Sequence, residues 1–114
     1  MAECIFCKIV EGTIPTKKIH EDDQVIAFED INPQAPVHLL IIPKQHVTSL
    51  ADIQETDAAL MGRIMVVATK MARERGLEAN GFRVVVNTGR EAGQTVFHLH
   101  VHVLGGRPFQ WPPG

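Results

Sequence analysis

The sequence predicts an α+β domain: a five-stranded antiparallel sheet with one long and one short helix. Three observations point there. One long stretch, residues 57–75, carries apolar residues at helical spacing. Five short runs read as strands, with connections that suit hairpins. The length of 114 residues, 45% of them hydrophobic, suits one compact domain over 1–114 with no linker or repeat.

The elements follow in order. Residues 4–11 predict a short helix with Cys4, Phe6, Cys7 and Val10 on one side, ended by Gly12 and barred from continuing by Pro15. Strands at 17–20 and 24–30 flank an acidic turn, Glu21-Asp22-Asp23, and alternation puts Ile26, Phe28 and Asp30 on one face. Asn32-Pro33 and Ala35-Pro36 force an irregular connection. His38–Ile42 then reads as a buried strand that Pro43 stops. Thr56 can cap the long helix and Gly76 end it. That helix carries two apolar stripes, Leu60/Ile64/Val67/Met71 and Met61/Met65/Ala68/Ala72, a face wider than its own sheet requires. Phe82–Asn87 and Val96–Leu104 complete the sheet around the loop Thr88–Thr95.

Composition excludes several classes. With 11 Lys+Arg against 13 Asp+Glu, a broad basic face for nucleic acid is not expected, whereas a small anionic ligand needs only local donors. The longest apolar runs, Leu39–Ile42 and Ile64–Ala68, fall far short of the ~18 residues of a bilayer span. Glu3 stands where a secretory leader would be basic, and the two cysteines cannot make a disulfide framework. A reducing cytoplasm is the expected location.

The chemistry concentrates in His98-Leu99-His100-Val101-His102-Val103-Leu104. On a strand, the three imidazoles would line one face and the apolar residues the other. Spacing alone leaves three readings open: a solvated polar face, a metal site, or catalysis by imidazoles that are neutral near pH 7. The preceding loop favours catalysis. Gly89 and Gly93 permit tight turns whose N–H groups can cradle an anion, Asn87 adds an amide, and Thr95 a hydroxyl.

Gly93-Gln94-Thr95-Val96-Phe97 running into this segment resembles the histidine-triad signature. Asp30-Ile31-Asn32-Pro33, Ile42-Pro43-Lys44, Gly105-Gly106-Arg107-Pro108 and Trp111-Pro112-Pro113-Gly114 resemble its Hint branch, so the resemblance covers essentially the whole chain. It implies a homodimer that binds purine nucleoside monophosphates and hydrolyses nucleoside phosphoramidates without needing a catalytic cofactor. His100 would attack the α-phosphorus and His102 contact the phosphate and assist the leaving amine, with His98 orienting the group and His38 supporting His100 from the neighbouring strand. Asp30 would hold the ribose hydroxyls. Ile5, Phe6, Ile9, Phe28 and Ile31 would line the base slot, and Asn87, Gly93 and Thr95 would hold the phosphate. Hint proteins often carry Ser at the position of Thr95, which implies an altered leaving-group preference here. A nucleotide-binding scaffold with incidental catalysis and a dinucleoside polyphosphate hydrolase are the competing readings.

Cys4 and Cys7 share a helix face and can supply half of a tetrahedral zinc site. Free thiols and redox chemistry are the alternatives. Resemblance to bacterial-type relatives implies that His46 and His98 complete the zinc site, with the metal structural. The tail Trp111-Pro112-Pro113-Gly114 is too short and Pro-rich to form an element. Its tryptophan is expected to seek a pocket or a partner subunit, where the resemblance implies a role in leaving-group selection.

Overall fold

The computed structural model describes residues 4–114. The reading of Glu3 lies outside them. The elements run α1 (Ile5–Glu11), β1 (Lys18–Glu21), β2 (Val25–Glu29), β3 (Val37–Pro43), α2 (Ala58–Glu74), β4 (Phe82–Val85) and β5 (Val101–Gly105). The five strands form one sheet in the order β1-β2-β3-β5-β4, and every neighbouring pair is antiparallel. This is the predicted α+β architecture. No described helix is long and apolar enough to cross a membrane.

Alternation along the central strands divides the core between the two sheet faces. Val25, Ala27, Leu39, Ile41, Val101 and Val103 point to α2 and meet Ile64, Val67, Ala68, Met71 and Ala72. Ile26, Phe28, Leu40 and Ile42 point the other way and meet Phe6 and Ile9 of α1. Both Ile64 and Val67 are fully buried, so truncating Ile64 to Ala costs about 2–5 kcal/mol. The second stripe of α2 splits: Ala68 and Ala72 are buried, whereas Met65 and its neighbour Val66 remain exposed.

Several boundaries differ from expectation. Cys4 is the N-cap of α1 rather than its first residue; its Sγ accepts the Cys7 N–H at 3.3 Å. Gly12 ends that helix in the left-handed region, as expected. Thr56 does not cap α2. It lies within a 3-10 turn, Glu55–Asp57, where the Asp57 carboxylate takes the Gln54 N–H at 2.9 Å. Strand β2 ends at Glu29, placing Asp30 just beyond it, and β3 includes Pro43. Strands β4 and β5 are both shorter than predicted.

Residues 96–100 are not on the sheet because the segment after β3 satisfies them instead. Leu99 N–H donates to the Val47 carbonyl, His98 Nε2 to the Pro43 carbonyl, and the Gln94 amide to the Thr48 and Val96 carbonyls. The glycine pair closing β5 has a steric cause. A Cβ on Gly105 would lie 2.7 Å from Leu77 side-chain carbons, and one on Gly106 (φ +92°) would lie 2.8 Å from Pro36 Cβ.

Candidate functional site

A cavity of about 850 Å³ opens on the α1 side of the sheet. Ile5, Phe6, Ile9, Phe28, Asp30, Ile31, His38, Gly93, Thr95, His100 and His102, all singled out from sequence, line it together. Phe6 meets Phe28 edge-on with ring centroids 5.8 Å apart, so the two rings pack together as one apolar wall of the cavity. Asn87 and Trp111 are not among the lining residues, and Trp111 is 83% exposed. The tail is held nearby through Phe109, which has the Arg107 and Arg83 guanidiniums 4.4 and 5.1 Å from its ring centre.

The three motif histidines do point away from Leu99, Val101 and Val103, as alternation predicts. They nevertheless divide into separate environments. His100 Nδ1 lies 2.8 Å from the His98 carbonyl, an acceptor only, so Nδ1 carries the proton. The Nε2 lone pair of a neutral His100 is therefore free. His102 has the opposite arrangement. The Gln34 N–H donates to His38 Nδ1 at 3.0 Å, which puts the His38 proton on Nε2. That proton is directed to His102 Nδ1 at 2.9 Å, with Asp30 Oδ2 3.4 Å from the same nitrogen, so His38 supports His102 and not, as expected, His100. His102 Nδ1 is then an acceptor, and its Nε2 a donor. Burial pushes His102 down to about 4, reinforced by repulsion from His100 and His38 and opposed by Asp30. Burial lowers His38 as well, again against the pull of Asp30. Two adjacent imidazoles thus present one free lone pair and one N–H.

His98 belongs to a second cluster. It is fully buried, and its Nδ1 lies 3.3 Å from Cys4 Sγ, 3.6 Å from Cys7 Sγ and 3.2 Å from His46 Nδ1. Cys7 Sγ is 3.2 Å from His46 Nδ1. Tetrahedral zinc with Cys and His ligands spaces its donor atoms about 3.3–3.8 Å apart, so this set fits it. The His98 Nε2–H, donating to the Pro43 carbonyl at 2.8 Å, leaves Nδ1 unprotonated toward the cluster. Burial raises the Cys7 thiol, aided by the neighbouring Cys4, and metal binding would supply the missing compensation. Asp30, His38 and His102 also lie within ligating distance of one another. They fit a metal poorly, because the Gln34 N–H obliges His38 Nε2 to keep its proton.

Sequence reasoning missed three contributors. Gln94 is buried and ties the loop Thr88–Thr95 together: its side chain accepts from Gly89 N–H and donates to the Thr48 and Val96 carbonyls. Its place in the Gly-Gln-Thr-Val lead was the available signal. Gln34 fixes His38 through its main chain, for which side-chain identity gives no signal. Ile14, Thr16 and Lys17 extend the cavity wall, and only the three-dimensional return of that segment shows it.

The HIT domain family model matches residues 11–109. An uncharacterised HIT-like protein of Synechocystis is 51% identical over 115 residues, covering all of both chains. Among solved structures, a HIT family hydrolase from Legionella pneumophila superposes with a TM-score of 0.96 at 47% identity, covering 98% of this chain and 100% of that one. A histidine triad protein from Clostridium difficile gives 0.92 at 47% identity, with 96% of each chain covered.

Proposed function

The chain belongs to the HIT domain family and has the fold of proteins described as HIT family hydrolases, and on that premise we propose that it is a Hint-type nucleoside phosphoramidase. The observation that carries this reading is the complementary protonation of His100 and His102 at the wall of one cavity.

In this mechanism a purine lies against the apolar wall of Ile5, Phe6, Ile9 and Phe28, and the Asp30 carboxylate accepts from the ribose hydroxyls. Gly93 and Thr95 address the phosphate. The Nε2 lone pair of His100 forms a bond to the α-phosphorus as the P–N bond to the amine breaks. His102 Nε2–H donates to a phosphate oxygen, and the departing nitrogen takes its proton from solvent and leaves as the amine. Water then attacks the nucleotidyl-histidine, gives up a proton to solvent and releases the nucleoside monophosphate with His100 restored. Thr95, carrying a methyl beside its hydroxyl, narrows the leaving-group side.

Zinc held by Cys4, Cys7, His46 and His98 would be structural, since four protein ligands leave no open position for chemistry. The exposed Met65 and Val66 on α2 and the edge strand β4 support a homodimer across a two-fold axis, with Trp111 directed to the partner. A turnover panel tests the activity. Adenosine 5′-phosphoramidate should be cleaved faster than diadenosine polyphosphates, and the reverse order would assign the chain to dinucleotide hydrolysis. Tight AMP binding with no turnover of any substrate would leave a binding protein.

A further inference from the structure

We infer that Arg107 is a positioning residue for His102, acting through the main chain of Gln34 and the ring of His38. The inference deepens the proposed function and rests on it for the catalytic consequence alone.

The chain of contacts is continuous. Arg107 donates from Nη2 and Nε to the Gln34 carbonyl at 3.0 and 3.3 Å. The same residue's N–H donates to His38 Nδ1, and its side-chain amide to the Asn32 carbonyl at 3.1 Å. Asn32 N–H in turn donates to Asp30 Oδ1 at 2.8 Å. Gln34 is thereby gripped on its carbonyl side by a cation and on its amide side by the ring it orients. Without that grip, an exposed proline-flanked turn would be free to rotate its N–H away from His38. His38 would then take either tautomer, and His102 with it.

A second observation supports the placement. Gly106 has φ +92°, and a Cβ there would lie 2.8 Å from Pro36. Only glycine lets the chain leave β5 close enough to the 34–36 turn for Arg107 to reach the carbonyl. The opposite side of the Arg107 guanidinium stacks on Phe109, which restricts its rotamers before it reaches Gln34.

The consequence is chemical. A His102 protonated on Nδ1 would present a lone pair to the cavity at Nε2, beside the lone pair of His100, and could not donate a hydrogen bond to the phosphate. Arg107 thus keeps the two imidazoles complementary without touching substrate.

The test uses the full chain labelled with ¹⁵N-histidine and long-range ¹H–¹⁵N spectra, which read the tautomer of each ring directly. Wild-type His38 and His102 should both carry the proton on Nε2. Arg107→Met should convert His102 to a mixture and lower kcat on adenosine phosphoramidate about tenfold, as expected for one charge-assisted hydrogen bond. AMP affinity should stay within about twofold, and Arg107→Lys should restore part of both signals. Truncation after Phe109, which keeps the stacked ring and removes Trp111, should leave the tautomers unchanged, separating this contact from the tail. Should Arg107→Met fail to fold, Gln34→Pro, which deletes the N–H that His38 accepts, should give the same mixture. A His102 that keeps its Nε2 proton in Arg107→Met, or in Gln34→Pro where that is the variant that folds, overturns the inference. So does a wild-type His102 protonated on Nδ1. Failure of the wild type to cleave phosphoramidates would overturn the proposed activity instead and leave the spectra to decide this one.

Discussion

The His98 carbonyl accepts the Nδ1–H of His100 at 2.8 Å, while the His98 ring turns its own Nδ1 to Cys4 at 3.3 Å. One residue therefore sets the tautomer of His100 with its main chain and joins the cysteine cluster with its side chain. His100→Ala should lower phosphoramidate turnover by roughly a thousandfold or more with AMP binding retained, because only the covalent path is removed. Isothermal titration beside steady-state kinetics checks this. A variant keeping more than about a tenth of the rate would exclude His100 as nucleophile.

Asp30→Asn should weaken AMP much more than 2′-deoxy-AMP. The substitution keeps the oxygen that accepts the Asn32 N–H and removes the charge, worth about 1.5–3 kcal/mol in hydrogen bonds to an ionised group. Equal losses for both sugars would place Asp30 outside the ribose contact.

Protein purified without chelator should contain about one zinc per chain, and Cys7→Ser should lose the metal and several degrees of Tm. Metal analysis and thermal unfolding measure both. Metal-free protein after reconstitution with zinc would leave a pair of thiols as the account of this cluster.

Stability should rise with pH from about 4 to about 6.5. Folding lowers His102 to about 4 and depresses His38, so across that window the unfolded chain binds more protons than the folded one. Acidification therefore favours unfolding. Asp22 acts lower on the scale. Burial raises it, but hydrogen bonds from His20, the Gln24 N–H, Arg63 and the Val25 N–H outweigh that and hold it below its ordinary value. Its contribution is present above the usual carboxylate range and lost beneath it. Urea midpoints should show the upper slope flattened in His102→Gln, and an unchanged slope would refute the assignment.

Sedimentation should report a dimer at micromolar concentration, and Val66→Glu on the exposed face of α2 should shift it toward monomer. Truncation after Arg107 should alter leaving-group preference more than AMP affinity. An unchanged substrate profile would remove Trp111 from the mechanism.

Local patterning made the strands of the sheet and the faces of the histidines legible, because alternation and helical periodicity are written residue by residue. Phe28 and Asp30 were placed on one face correctly although the strand ends between them. The separation of His98 from His100 and His102 was not legible as geometry. It depends on Pro43, Val47 and Thr48 offering carbonyls to a segment fifty residues away. The roles of Gln34 and Gln94 escaped for the same reason: both act through hydrogen bonds whose partners only the fold supplies. Thr56 failed as a cap because it lies inside the 3-10 turn Glu55–Asp57 that precedes α2, a turn closed by the Asp57 carboxylate on the Gln54 N–H.

Cys4 and Cys7 bracket Ile5 and Phe6, so the residues of the sulfur cluster and the apolar wall of the cavity alternate along one turn of chain. Sequence drift in this turn is doubly restrained: a change that reshapes the wall also moves a sulfur. New preferences should therefore arise at Thr16 and Lys17, which line the cavity with no part in the cluster. A library randomised at those two positions should yield altered substrate selectivity at little cost in stability, whereas one randomised at Ile5 and Phe6 should be dominated by unstable members.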